Sequence, residues 1–88
     1  MSGDGKGLST EVSEALSSYV EAGCPGDVNA YLDRQGLSHP PIEHERRDER
    51  TEEAARSARV ICDPGYVAES MWIPDRKGGH YFWYCVPA

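Results

Sequence analysis

Apolar positions recur at helical spacing near the start of the chain. Leu8, Val12, Ala15, Leu16, Tyr19 and Val20 fall on one stripe, and Glu11, Glu14, Ser18 and Glu21 on the opposite one. The pattern predicts an amphipathic helix over 9–22. Ser9 or Thr10 caps it, the early glutamates suit the positive end of its dipole, and Gly23 stops it. Cys24-Pro25-Gly26 reads as a turn. Asp27 then caps a second helix, over 28–35, with Val28, Tyr31 and Leu32 inward and Gly36 at its end.

The pattern next turns polar. Between Glu43 and Glu53 there is no apolar residue, and only Ile42 on one side and Ala54, Ala55 and Ala58 on the other can pack. Pairs at i,i+4 spacing, Glu43 with Arg47 and Glu52 with Arg56, point to a third, charged helix over 42–59. It is either exposed to solvent or meets a partner through charge; a mobile charged linker is the alternative.

From residue 60 the period changes from helical to alternating. Val60-Ile61-Cys62 reads as a short strand, and Asp63-Pro64-Gly65 as a turn. Tyr66 to Ile73 forms a second strand, with Val67, Glu69, Met71 and Ile73 on one face and Tyr66, Ala68, Ser70 and Trp72 on the other. Asp75-Arg76-Lys77-Gly78-Gly79 is a hairpin loop, and His80 to Val86 a third strand. Trp72 pairs across strands near Trp83 or Tyr81 and fixes the register. The expected fold class is therefore α+β: two to three N-terminal helices packed on a C-terminal three-stranded antiparallel sheet. Residues 1–7 read as a disordered tail and 8–88 as one small domain, helical over 8–59 and a β-meander over 60–88.

The last strand stands out. Tyr81, Phe82, Trp83 and Tyr84 are consecutive, so both of its faces are apolar and both need cover. One face can take the domain's own helices. The other calls for a further strand layer, a second copy, a partner or a ligand. As the last strand, it is also expected at a sheet edge, where unpaired backbone invites pairing.

Charge narrows the partners. The net charge is −6, with six acids against two bases in residues 1–36. Nucleic-acid binding rests on Lys and Arg neutralising phosphates, so this balance disfavours it. No segment approaches the roughly 20 apolar residues of a membrane span, and residues 1–7 lack the apolar run of a secretory signal. The expectation is a cytoplasmic protein with reduced cysteines.

The three cysteines (Cys24, Cys62, Cys85) and three histidines (His39, His44, His80) show no close ligand pairs. A scattered metal site built from the cysteines and His80 is geometrically open but not expected. Cys62 and Cys85 read as buried thiols, and Cys24 as an exposed one. His44-Glu45-Arg46-Arg47-Asp48 resembles the zincin helix motif, with Asp48 where the second histidine belongs, and is read as a charged solvent face. Cys62 and His80 can be drawn as a nucleophile and base, but nothing in the sequence favours that pairing. No catalytic residue, metal or cofactor is expected.

What remains is a small, acidic, non-catalytic protein-binding module of the inhibitor, antitoxin-like or regulatory kind, able to pair with itself. Trp72, Tyr81, Trp83 and Tyr84 are the expected anchors, with Arg76 and Lys77 at the rim. Glu11, Glu14 and Glu21 offer a second surface. One alternative is a winged-helix DNA binder with Arg46, Arg47 and Arg50 on its recognition helix and Arg76-Lys77 at the wing tip. Another is a small-molecule binder with an aromatic pocket.

Overall fold

The computed structural model describes residues 8–57 and 60–88. The expected tail over 1–7, and Ala58 as a helical packing group, lie outside these residues. Element order is α1 (Thr10–Glu21), α2 (Val28–Arg34), β1 (Glu43–Arg47), α3 (Glu52–Arg56), β2 (Tyr66–Asp75) and β3 (Gly78–Pro87). The protein is an α+β domain with a three-stranded antiparallel sheet.

Both N-terminal helices begin where side chains satisfy their first free amides. The Ser9 hydroxyl accepts from Val12 N at 3.2 Å, and the Asp27 carboxylate from Ala30 N at 3.0 Å. The apolar stripe of α1 goes inward: Val12, Leu16 and Tyr19 are buried, against Val28 and Leu32 of α2.

The region 42–59 departs from the expected helix. Residues 43–47 form a strand, and only 52–56 are helical. The strand is held by its neighbour, with His44 opposite Phe82 and Arg46 opposite His80. Ile42 anchors its start. Its N–H donates to Asn29 Oδ1 and its carbonyl accepts from Asn29 Nδ2, both at 2.9 Å. Propensity and i,i+4 charge counting miss this, because β1 draws its stability from cross-strand pairing with an apolar neighbour. The Glu52–Arg56 pair does form, at 3.2 Å, within α3.

Val60-Ile61-Cys62 is not a strand. The third strand of the sheet is β1, so the order is β1-β3-β2 and β3 lies in the centre. The aromatic strand is therefore not an edge; β1 and β2 are. The β2–β3 hairpin has the expected alternation, with Trp72 opposite Tyr81 and their rings 4.8 Å apart. At the hairpin Gly78 takes φ 145°, and a side chain there would meet Asp48 O at 2.7 Å.

Both apolar faces of β3 are covered by this chain. His80, Phe82, Tyr84 and Val86 face the helical layer. On the other side Tyr81 and Trp83 lie under Ala54 of α3, with Val60 and Trp72 beside them. Polar tips fix this second layer. Tyr81 Oη donates to Thr51 O at 2.8 Å and accepts from Thr51 N at 3.1 Å, while Trp83 Nε1 donates to Ala55 O at 3.2 Å. A disulfide joins Cys62 to Cys85 and ties the connector to the same face, with the Cα atoms 5.7 Å apart. The expectation of reduced core thiols thus fails for this pair. On sequence alone the two lie 23 residues apart, with nothing to mark them as partners.

Candidate metal centre

Three elements bring a thiol and two imidazoles together. Cys24 follows the C-terminus of α1, where Gly23 at φ 85° and Cys24 at φ 55° turn the chain back on itself. Cys24 is the non-glycine residue with positive φ among those described, an uncommon conformation for a side chain. The turn is pinned on both sides: Cys24 N donates to Tyr19 O at 2.9 Å, and Tyr19 Oη donates to Gly26 O at 2.7 Å.

His44 and His80 come from the sheet. In the β1–β3 register His44 faces Phe82 and Arg46 faces His80, so the two histidines are diagonal neighbours on the helical face. The His44 ring stacks on Phe82 at 4.8 Å and on His80 at 4.9 Å, and meets Tyr19 edge-on at 5.6 Å. Its neighbours leave the ring little freedom.

The donor atoms form a small triangle. Cys24 Sγ lies 4.0 Å from His44 Nε2 and 3.8 Å from His80 Nδ1, and the two nitrogens are 2.7 Å apart. Behind His80 stands Asp75, whose Oδ2 is 2.8 Å from His80 Nε2. That contact makes Nε2 the donor and leaves Nδ1 with its lone pair toward His44, while Cys24 Sγ, 3.8 Å from Nδ1 and 4.0 Å from Nε2, lies beside the ring. Asp75 is itself fixed at the hairpin: its Oδ1 accepts from Lys77 N at 2.8 Å, and Arg46 Nε lies 3.9 Å from its Oδ2.

The electrostatics favour a neutral His44 and a protonated Cys24 thiol. Burial, and secondly the neighbouring His80, push the His44 pKa below its ordinary value. Burial, and secondly the Asp75 carboxylate, push the Cys24 thiol up. The Lys77 amide holds Asp75 below the usual carboxylate range, with His80 and Arg46 adding to it. Asp75 thus stays an anion that orients His80.

This donor set suits zinc. With Zn–N of about 2.0–2.1 Å and Zn–S of about 2.3 Å, tetrahedral geometry requires N···N of about 3.3 Å and S···N of about 3.6 Å. The thiol is already within about half an ångström of that spacing. The imidazoles are closer because they share a hydrogen bond, which a cation between them would replace. Cys24, His44 and His80 are a cluster of metal-capable side chains, and the Asp75–His80 contact is the carboxylate–histidine pairing that commonly backs a metal-bound imidazole.

The residues expected to bind a partner lie elsewhere. Tyr81, Trp83 and Tyr84 are 1%, 0% and 5% exposed. They fill the domain's own core, because both faces of a central strand are covered. Trp72 is half-buried against Tyr81. Arg76 and Lys77 are exposed at the hairpin tip, and Glu11, Glu14 and Glu21 are exposed on α1. Arg46 and Arg47 sit on β1 and Arg50 in the loop after it, so the expected recognition helix does not form. Arg46 is engaged with Asp48 at 3.2 Å and with Lys77 O at 3.1 Å. The cleft at the end of α1 and the hairpin tip, lined by Val20, Glu21, Arg46, Pro74, Asp75, Arg76 and Lys77, is not the expected aromatic pocket.

Sequence reasoning considered the cysteines with His80 as a scattered site but did not bring His44 or Asp75 to it. Cys24, His44 and His80 lie far apart along the chain, so no local spacing marks them. The one usable signal was the alternation in residues 43–47. Read as a strand, it would have put His44 and Arg46 on one face, opposite the side bearing Glu43, Glu45 and Arg47. No protein-family model matches this chain, and no curated protein or solved structure matches it.

Proposed function

We propose that this domain binds one divalent metal ion of the zinc class through Cys24 Sγ, His44 Nε2 and His80 Nδ1. The observation that carries the reading is the convergence of these donors from three separate elements, with Asp75 holding His80 in the ligating tautomer. Mixed thiolate and imidazole donors suit zinc and, for spectroscopy, cobalt(II). Binding would displace the Cys24 proton and join the end of α1 to β1 and β3. The Cys62–Cys85 bridge fits an oxidising compartment better than the cytoplasm, and it leaves Cys24 as the free thiol.

Titration of the protein with cobalt(II) tests this. One equivalent should give a thiolate-to-metal absorption band in the near ultraviolet together with visible d–d bands. Cys24→Ser should abolish the charge-transfer band, and His44→Ala should weaken binding at least tenfold. Asp75→Asn should weaken it by about 10–100-fold, as expected when a partner behind a ligand is lost. Absence of saturable binding, or binding indifferent to Cys24→Ser, would refute the reading.

A second reading keeps the non-catalytic protein-binding role and moves it to β2. This strand is an edge; Tyr66 and Val67 at its start are 50% and 45% exposed, and nearby Ile61 is 98% exposed. Strand addition by a second copy would use this edge. A native mass above the monomer that returns to the monomer with Val67→Lys supports it; a monomer at all concentrations counts against it.

A further inference from the structure

We infer that the chain forms a two-fold dimer in which β2 pairs antiparallel with β2 of a second copy, centred on Ser70, so that the two sheets become one. The inference rests on the strand-edge reading above and specifies the register by which a second copy fits that edge.

The two edges of the sheet differ. Four of the five residues of β1 are charged, a composition that keeps an edge unpaired. Between Tyr66 and Pro74, β2 carries only Glu69. Among the described residues no strand lies outside it. Its backbone is open over a defined stretch. Pro74 has no N–H, and a proline in an edge strand turns its nitrogen to the open side. By alternation, Trp72, Ser70 and Ala68 turn their N–H and C=O groups the same way. The stretch closes at its other end, where Tyr66 N already donates to Asp63 O at 3.0 Å.

Burial along β2 is uneven. Tyr66 to Glu69 are exposed, and Ser70 to Ile73 are half-buried. Pairing about Ser70 sets the exposed half of each copy beside the covered half of the other. Val67 then meets Ile73, Ala68 meets Trp72, and Glu69 meets Met71. Paired residues share a face: Val67 and Ile73 lie opposite Val86 and His80 of β3, on the helical side. The Ser70–Ser70 pair and the two Ala68–Trp72 pairs each exchange both backbone bonds. A pairing centred on Glu69 would instead set two like charges directly opposite, which destabilises.

Charge at the strand ends selects a second copy. Asp63 is exposed just before β2, and Arg76 and Lys77 are exposed just after it. The two-fold pairing carries the start of each strand to the hairpin tip of the other. Asp63 of each copy thus comes beside Arg76 and Lys77 of the second, and the contact is made twice. The patch is its own complement, as a two-fold interface requires.

Native mass spectrometry of the full chain tests this, with cysteine variants made in a Cys24→Ser background. The wild type should give a dimer. Directly opposed Cα atoms about 5.5 Å apart suit a disulfide, so Ser70→Cys should air-oxidise to a covalent dimer. Tyr66→Cys lies far from its own copy in this register and should not. Lys77→Glu should weaken the dimer several-fold, and Asp63→Lys added to it should restore it. A wild type that is monomeric at all concentrations would overturn the inference together with the strand-edge reading. A dimer that Ser70→Cys does not lock, or that Tyr66→Cys locks equally well, would overturn the register and leave the strand-edge reading standing. A dimer indifferent to Lys77→Glu would overturn the charge contact.

Discussion

Truncating Trp83 measures whether the aromatic strand is core or contact surface. The indole is 0% exposed. It lies stacked 5.5 Å from the Tyr81 ring, under Ala54, and Nε1 donates to Ala55 O. Trp83→Ala removes this packing and one of the tethers of α3. A buried Trp→Ala change costs about 3–5 kcal/mol. A domain of this length has a total stability of only about 4–13 kcal/mol, from about 0.05–0.15 kcal/mol per residue. At about 4–8 °C per kcal/mol, the melting temperature should fall by roughly 12–40 °C. Far-ultraviolet circular dichroism through a urea series is the assay, because the substitution removes a principal fluorophore. Trp83→Phe keeps the stack on Tyr81, loses the indole hydrogen bond and should cost about 1–3 kcal/mol. A loss below about 1 kcal/mol for Trp83→Ala would refute the reasoning and return Trp83 to the role of a partner anchor.

Reducing the Cys62–Cys85 bridge should lower stability by about 3 kcal/mol, from closure of a loop with a sequence separation of 23, read as the difference between urea midpoints with and without reductant. Asn29→Ala strips both side-chain bonds from Ile42 and frees the start of β1. It should cost about 1–3 kcal/mol and accelerate amide exchange along residues 43–47. Tyr84 is pushed above its ordinary pKa first by burial and then by Glu69, its cross-strand partner. The unfolded phenol ionises first, so this contribution is intact below about pH 10 and is lost as pH rises through the folded value. Phenolate absorbance should rise late for Tyr84 and Tyr19, and Glu69→Gln should bring the Tyr84 part of that rise to lower pH.

The two ends of the chain were legible in the sequence for different reasons. In α1 and α2 the caps, the apolar stripe and the stop signals agree, so local chemistry alone locates them. In the β2–β3 hairpin the alternation and the glycines agree, and the Trp72–Tyr81 pair falls where that alternation puts it. The middle was not legible because its conformation is imposed from outside. Glu43–Arg47 is a strand because β3 offers it a partner, and α3 is held in place by Tyr81 and Trp83, which reach through to Thr51 and Ala55. The central position of β3 follows from that same pairing. Mistaking β1 for a helix hid the meeting of His44 and His80 too. On a helix His44 faces solvent; on the strand it stacks on Phe82 beside His80.

The central claim is that Cys24, His44 and His80 hold a metal ion. Native mass spectrometry of the purified protein with a slight excess of zinc tests it most directly. The account predicts one zinc per chain for the wild type and for Trp72→Ala, and loss of that zinc in Cys24→Ser and His44→Ala. A wild-type mass that stays at the metal-free value, or a zinc adduct that survives both ligand substitutions, would contradict it.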